Sequence, residues 1–203
     1  KIGQVVGDPR LQARVEEVAN RSITLVRDES HALPLPLSGK QKLMALVVAA
    51  DPGNPGDTFL AEIRRRVEDA EVARLGPELT EERAQQVLKR AAAADAILAG
   101  LYIRVADGKG TVGMPPTQLD LLRKLAALGK PLVAVSFGSP YVISAFPEVR
   151  TYLCAYSLAD ASERAAVRAA FGETAITGRL PVSIPGVAAL GAGIQRAAAD
   201  LKL

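Results

Sequence analysis

The stretch Tyr102 to Pro116, YIRVADGKGTVGMPP, runs from apolar residues into a glycine-rich loop with a single carboxylate, Asp107. Gly108, Gly110 and Gly113 have the spacing that lets a backbone approach a pyrophosphate at a strand-to-helix turn. Met114, Pro115 and Pro116 intervene before any helical pattern, and no acidic residue closes a following strand, so a dinucleotide fingerprint is disfavoured. A Walker-type phosphate loop fails as well, because its first glycine would fall at Ile103. Cys154 in YLCAYS invites a nucleophile, but a strand-to-helix elbow wants small flanking residues. Tyr152, Leu153, Ala155 and Tyr156 read as strand interior instead, which makes Cys154 a buried structural thiol. His31 sits among turn formers and reads as a solvated loop residue rather than a general base. The acidic pairs Glu16 with Glu17 and Glu81 with Glu82 fall on polar helix faces and read as solvated charge.

The elements that would position such residues follow from hydrophobic periodicity. Leu11, Val15, Val18, Leu25 and Val26 fall at helical spacing, with Ser22 on the same stripe, predicting a helix from Pro9 to Val26 capped by Asp8. By propensity the segment SITLV also reads as a strand. LPLPLSG is an extended, proline-set linker. From Lys42 the period changes. KLMALVVAAD, AILAGLYIR, PLVAVSFGSP and TYLCAY are short continuous apolar runs, with AEVARLG a weaker one. Helical patterns alternate with them: one capped by Asp57, one opened by Thr80, one from Pro116 that stops at Gly129, and one from Asp160. Strands that are apolar throughout and alternate with helices predict a three-layer αβα sandwich. Its sheet would be mostly parallel, of about five to six strands, with helices on both faces. Ligands in such sheets gather where strands end. That selects Asp51 and Asn54, Arg104 and Asp107, Phe137, Ser139 and Tyr141, and Tyr156 and Ser157, each of which also has an ordinary reading as a turn or packing residue.

Composition narrows the function. The chain has 203 residues, a net charge of +3, and arginines spread along helices rather than clustered with aromatics, which disfavours nucleic acid as a partner. The longest apolar run, Leu43 to Ala50, is far short of the ~20 residues of a membrane helix. One cysteine and one histidine rule out an internal disulfide and a histidine-based metal site, and no cofactor motif survives scrutiny. With no tryptophan and eight Phe and Tyr residues in all, the aromatics are too few for a free-standing sugar-binding module. Lys1 stands where an initiator methionine would, which reads as an excised or processed piece of a larger chain.

Three motifs near the C-terminus resemble the C-terminal α/β sandwich domain of family 3 glycoside hydrolases: FGSPYVI, AAFGE, and ITGRLPVSIPG, the last similar to the family's Ser-Gly-Arg-Leu-Pro-Val-Thr-Ile-Pro. VANRSITLVRDESHALPL is similar to the family's Ala-Arg-x-Ser-Ile-x-Leu-Leu-Lys-Asn segment, and GAGIQ to its Gly-His-Gly-Leu close, with Ala192 in place of histidine. The resemblance implies a partner, an N-terminal (β/α)₈ barrel of the same parent chain that carries the nucleophilic aspartate and through which carbohydrate substrate is met. In the β-glucosidase branch the acid/base glutamate comes from the loop corresponding to RVADGKGTVGMPP, which here holds no glutamate. The β-N-acetylglucosaminidase branch takes its acid from a histidine and aspartate pair on the barrel, and FGSPYVI and TYLCAYS look more like that branch.

The expectation is therefore an accessory domain of a β-N-acetylhexosaminidase acting on terminal β-linked N-acetylglucosamine, as in peptidoglycan fragments, and inactive by itself. No catalytic residue is assigned. Arg104, Asp107, Ser139 and Tyr141 are expected nearest the barrel. The chain divides into a helix and extended linker over 1–38, the sandwich over 39–186 and a tail over 187–203. The alternatives are a free-standing flavodoxin-like binding or interaction module, and a β-glucosidase domain with Asp107 as its acid.

Overall fold

The computed structural model describes residues 8–35, 41–103 and 113–199. In chain order the elements are α1 (Pro9–Ser22), β1 (Thr24–Asp28), β2 (Leu43–Ala49), α2 (Asp57–Arg66), β3 (Glu71–Leu75), α3 (Glu81–Ala92), β4 (Ala96–Ile103), α4 (Pro116–Ala127), β5 (Leu132–Gly138), α5 (Val142–Ala145), β6 (Thr151–Cys154) and α6 (Asp160–Ala170). The strands form one sheet in the order β1-β6-β5-β4-β2-β3. β2 through β6 pair in parallel, and β1 runs antiparallel beside β6. This is the expected three-layer sandwich.

β2 and β4 are buried at every position, which is why they read as unbroken apolar runs: helices cover both of their faces. Alternate residues feed two cores. Ala45, Val47 and Leu98 pack with Phe59, Ile63 and the alanines of α6, so α1, α2 and α6 share one face. Met44, Leu46 and Ile97 pack with Val87, Leu121 and Val142, placing α3, α4 and α5 on the other. β3 carries Glu71 and Arg74 on exposed positions of the sheet edge, where charge discourages pairing with another chain. The β1 edge is instead occupied by the chain's own tail, through Leu25 and Ile194.

The local signals explain most element ends. Asp8 accepts from Arg10 N at 2.9 Å to cap α1, with Pro9 at its first turn. Thr80 caps α3 by accepting from Arg83 N at 3.3 Å, and Gly129 follows α4 at φ +69°. Asp57 does not cap α2. Gly56 holds that position at φ +86°, and Asp57 opens the helix paired to Arg74.

The largest departure concerns the predicted helix over Pro9 to Val26. It ends at Ser22, and Thr24–Asp28 is the antiparallel strand β1, the alternative that SITLV offered. Helical spacing lost to tertiary pairing, because as a strand the β-branched residues complete the ladder beside β6 and Leu25 is fully buried. The Leu11, Val15 and Val18 stripe of α1 consequently faces outward. Glu16 is not solvated charge either: it bridges α1 to Arg164 and Arg168 of α6.

Candidate functional site at the carboxyl edge of the sheet

The carboxyl ends of the parallel strands β2, β4, β5 and β6 lie at one edge of the sheet, and the described loops after β2, β5 and β6 form a rim there. After β2, the chain turns through Asp51 to Gly56 into α2. Beneath that turn lie three packed rings. Tyr102 stacks on Phe137 with centroids 4.7 Å apart, and Phe59 meets Phe137 edge-on at 5.6 Å. Phe137, one of the strand-end candidates, is thus a packing residue.

Glu163, in the first turn of α6, is 3% exposed and accepts from Phe59 N at 2.7 Å. A buried carboxylate here satisfies one of the orphan N–H groups at the start of α2. Burial pushes the Glu163 pKa above the ordinary carboxylate range, against the lowering effect of that N–H. The neighbouring Tyr102 hydroxyl is buried with no hydrogen bond of good geometry among the described residues, and burial together with the nearby Glu163 carboxylate drives its pKa far up. Above this floor a cavity of about 300 Å³ is lined by Asp51, Gly53, Asn54, Pro55, Tyr102 and Leu158. Asp51 and Asn54 therefore share one concavity, while Tyr102 supplies its floor.

Gln118, in the first turn of α4, ties the ends of two strands together. Its Nε2 donates to the carbonyls of Ala49, at 2.8 Å, and Gly76, at 2.7 Å. Nothing in the sequence marks Gln118, and Glu163 in ASERAAV reads as an exposed acid. Both become visible only when α4 and α6 are placed on the sheet.

The β5 loop is shaped more than it is exposed. Gly138 has φ +105°, and a Cβ there would lie 2.6 Å from the Ile103 carbonyl oxygen, so the turn needs glycine. Ser139 is 2% exposed. Its hydroxyl accepts from Tyr141 N at 3.3 Å, and its carbonyl accepts from Ser136 Oγ at 2.5 Å. It is a turn-forming serine at the entry to α5. Tyr141 stands on the same loop with its ring partly exposed. Arg104 and Asp107 lie outside the described residues.

β6 ends at Cys154, so Tyr156 lies past the strand rather than within it, with φ +60°. A tyrosine holds this left-handed conformation only when its surroundings over-determine it. Here the Tyr156 hydroxyl donates to Thr24 Oγ1 at 2.8 Å, and Thr24 donates onward to the Ser22 carbonyl at 3.0 Å. Partial burial pushes the Tyr156 phenol up to about 12. The Cys154 thiol is fully buried and likewise pushed up to about 12 by desolvation, so it stays protonated and unreactive.

The ITGRLPVSIPG motif packs behind Tyr156. Gly178 N donates to the Ile23 carbonyl at 3.1 Å, and a Cβ on Gly178 would overlap the carbonyl oxygens of Ser22 and Ile23. Gly193 crosses in turn over Gly178, where a Cβ would lie 2.6 Å from the Gly178 carbonyl oxygen. Two glycines at successive crossings let the tail lie flat on β1, and Arg196 closes it with an ion pair to the buried Asp28.

This arrangement agrees with a family match spanning residues 23–198, the glycosyl hydrolase family 3 C-terminal domain. The chain belongs to that family. The family 3 domain begins its match at Ile23, directly after α1. No curated protein sequence matches the chain. Among solved structures it is similar to a fungal multi-domain family 3 β-N-acetylglucosaminidase, at 27% identity and TM-score 0.72, over 87% of this chain and 19% of that one. It is also similar in fold to a family 3 β-N-acetylglucosaminidase from Paenibacillus sp. str. FPU-7, at 21% identity and TM-score 0.69, over 84% of this chain and 32% of that one. A β-glucosidase from Listeria innocua in complex with isofagomine gives 19% identity and TM-score 0.71, over 89% and 28%. The chain thus spans about a fifth to a third of the length of these structures. Among the described residues, no helix is long and apolar enough to cross a membrane and no three potential metal ligands gather.

Proposed function

We propose that this family 3 domain is the accessory half of a β-N-acetylglucosaminidase, seated on a (β/α)₈ barrel of the same polypeptide that holds the reacting groups. The observation that carries this reading is the stretch between β4 and α4. It contains Asp107 as its only carboxylate and no glutamate, where the resemblance to the β-glucosidase branch would require an acid. Retaining hydrolysis needs two carboxyl-type groups about 5 Å apart. At the described carboxyl edge, Glu163 is committed to Phe59 N and raised in pKa, so it is built to hold α2 rather than to attack a sugar. The similarity to the fungal β-N-acetylglucosaminidase adds weight, being above the identity of the β-glucosidase match. In this reading the rim formed by the loops after β2, β5 and β6 faces the barrel. Tyr141 and Asn54 are exposed members of that rim, and Ser139 sets the turn that presents Tyr141.

The test is the gene around the codon for Lys1, followed by an assay of its full product on nitrophenyl N-acetyl-β-glucosaminide and nitrophenyl β-glucoside. The expected result is an upstream barrel, hydrolysis of the N-acetylglucosaminide, and no turnover by the isolated 203-residue chain. Preference for the glucoside, abolished by Asp107→Asn, would replace this reading with the β-glucosidase one. Absence of any barrel would leave a free-standing binding module.

A further inference from the structure

α1 is seated with its polar side inward. Glu16 pairs with Arg164 and Arg168, and Arg168 Nε also donates to Asn20 at 3.1 Å, so the helix is gripped against α6 mainly through charge. Only Ala19 of α1 is buried. Leu11, Val15 and Val18, at i, i+4 and i+7, form a single stripe turned away from the core and are 48%, 50% and 68% exposed. Scattered exposed apolar residues need no explanation, but a stripe at helical spacing normally faces a partner.

We propose that this stripe is a docking strip for an apolar surface of the (β/α)₈ barrel in the same polypeptide, an inference that rests on the function proposed above. Size selects the occupant. Three aliphatic side chains expose on the order of a few hundred Å², well below the ~800 Å² per partner of a stable two-chain interface. A second copy would have to overcome its lost translational and rotational freedom with this area, whereas a tethered domain is held at high effective concentration and needs far less. Position agrees. Thr24, two residues after α1, pairs with Cys154 at the carboxyl end of β6, so α1 delivers its C-terminal end to the same rim that would meet the barrel. The family match starts at Ile23, which leaves α1 as the segment between the matched domain and what the proposed barrel would occupy.

The experiment compares hydrogen exchange of α1 amides in the full-length gene product and in the 203-residue chain, with the Val15→Asp/Val18→Asp variant alongside. The expected result is α1 exchange slower by on the order of tenfold in the full-length protein. The double variant should abolish that difference and split one thermal transition into two. Ala13→Asp, on the opposite side of the helix, should change neither. Circular dichroism of the 203-residue variant confirms that it still folds. Equal α1 exchange in both proteins, or a double variant that behaves as wild type with the barrel present, overturns the docking strip while leaving the proposed function intact. Absence of a barrel in the gene overturns both. A dimer of the 203-residue chain in sedimentation, lost in the double variant, assigns the stripe to a second copy and overturns the proposal.

Discussion

α1 and α6 lie side by side and are held to one another by Glu16 and Asn20 on one helix and Arg164 and Arg168 on the other, yet they solve opposite problems. α6 is enclosed by the sheet, α2 and α1, and its Ala161, Ala165, Ala166, Val167, Ala169 and Ala170 are all buried. Its small side chains let two helices and a sheet approach it at once. α1 is equally amphipathic but buries only one alanine, with its larger aliphatic residues outside. The comparison teaches that periodicity identifies a helix and its stripe but not the partner of the stripe. Within this chain, apolar residues of α6 and its C-cap hold the fold, whereas of α1 only Ala19 joins the core.

That contrast can be broken most severely at Phe171, which follows α6 fully buried with the Arg66 guanidinium 5.9 Å from its ring centroid. Phe171→Ala should lower the unfolding free energy of the 203-residue chain by about 3–5 kcal/mol in urea titration, while Val15→Ser should stay within about 0.5 kcal/mol. Comparable losses would mean that α1 carries core weight. Next is Gly178→Ala, whose methyl group would overlap the backbone at Ser22 and Ile23 where α1 meets β1. A loss of about 1–3 kcal/mol is expected, together with faster amide exchange at Ile194, whose N–H bonds the Leu25 carbonyl.

The smallest effect concerns the polar grip itself. Burial would raise the Glu16 pKa, but hydrogen bonds and charge from Arg164 and Arg168 outweigh it and hold the carboxyl below its ordinary value. A depressed folded-state pKa contributes stability above the unfolded-state value and loses it as the pH falls through the folded one. Glu16→Gln should therefore cost about 1 kcal/mol or less at pH 7, the pair being partly exposed, and the gap to wild type should narrow as the pH falls below the ordinary glutamate range and close once the Glu16 carboxyl is protonated. A gap that persists in acid would show that the pair is held by shape rather than by charge.

Much of the fold was legible because burial on both faces leaves a plain trace. β2 and β4 are unbroken apolar runs since no position in them sees water, and Thr80, Asp8 and Gly129 mark helix ends by chemistry that acts within a few residues. β1 was ambiguous because SITLV fits two periods, and the choice is made by a partner strand more than 120 residues away. The rim was legible as positions but not as roles. Asp51 and Asn54 share a cavity, as strand-end logic suggests, whereas Phe137 is packed and Ser139 shapes a turn. Glu163 and Gln118 left no signal, since a glutamate or glutamine in a helix is ordinarily solvated.

By itself the amino-acid sequence determined the α/β alternation, the parallel sheet, the inert thiol and the family, because these depend on local period, composition and short motifs. Only the tertiary structure decided that Leu11, Val15 and Val18 face outward, that Glu163 caps α2, that Tyr156 is pinned in a left-handed turn by Thr24, and that the tail closes the β1 edge. Each of those depends on which surfaces meet, and surfaces meet through contacts between residues far apart in the chain.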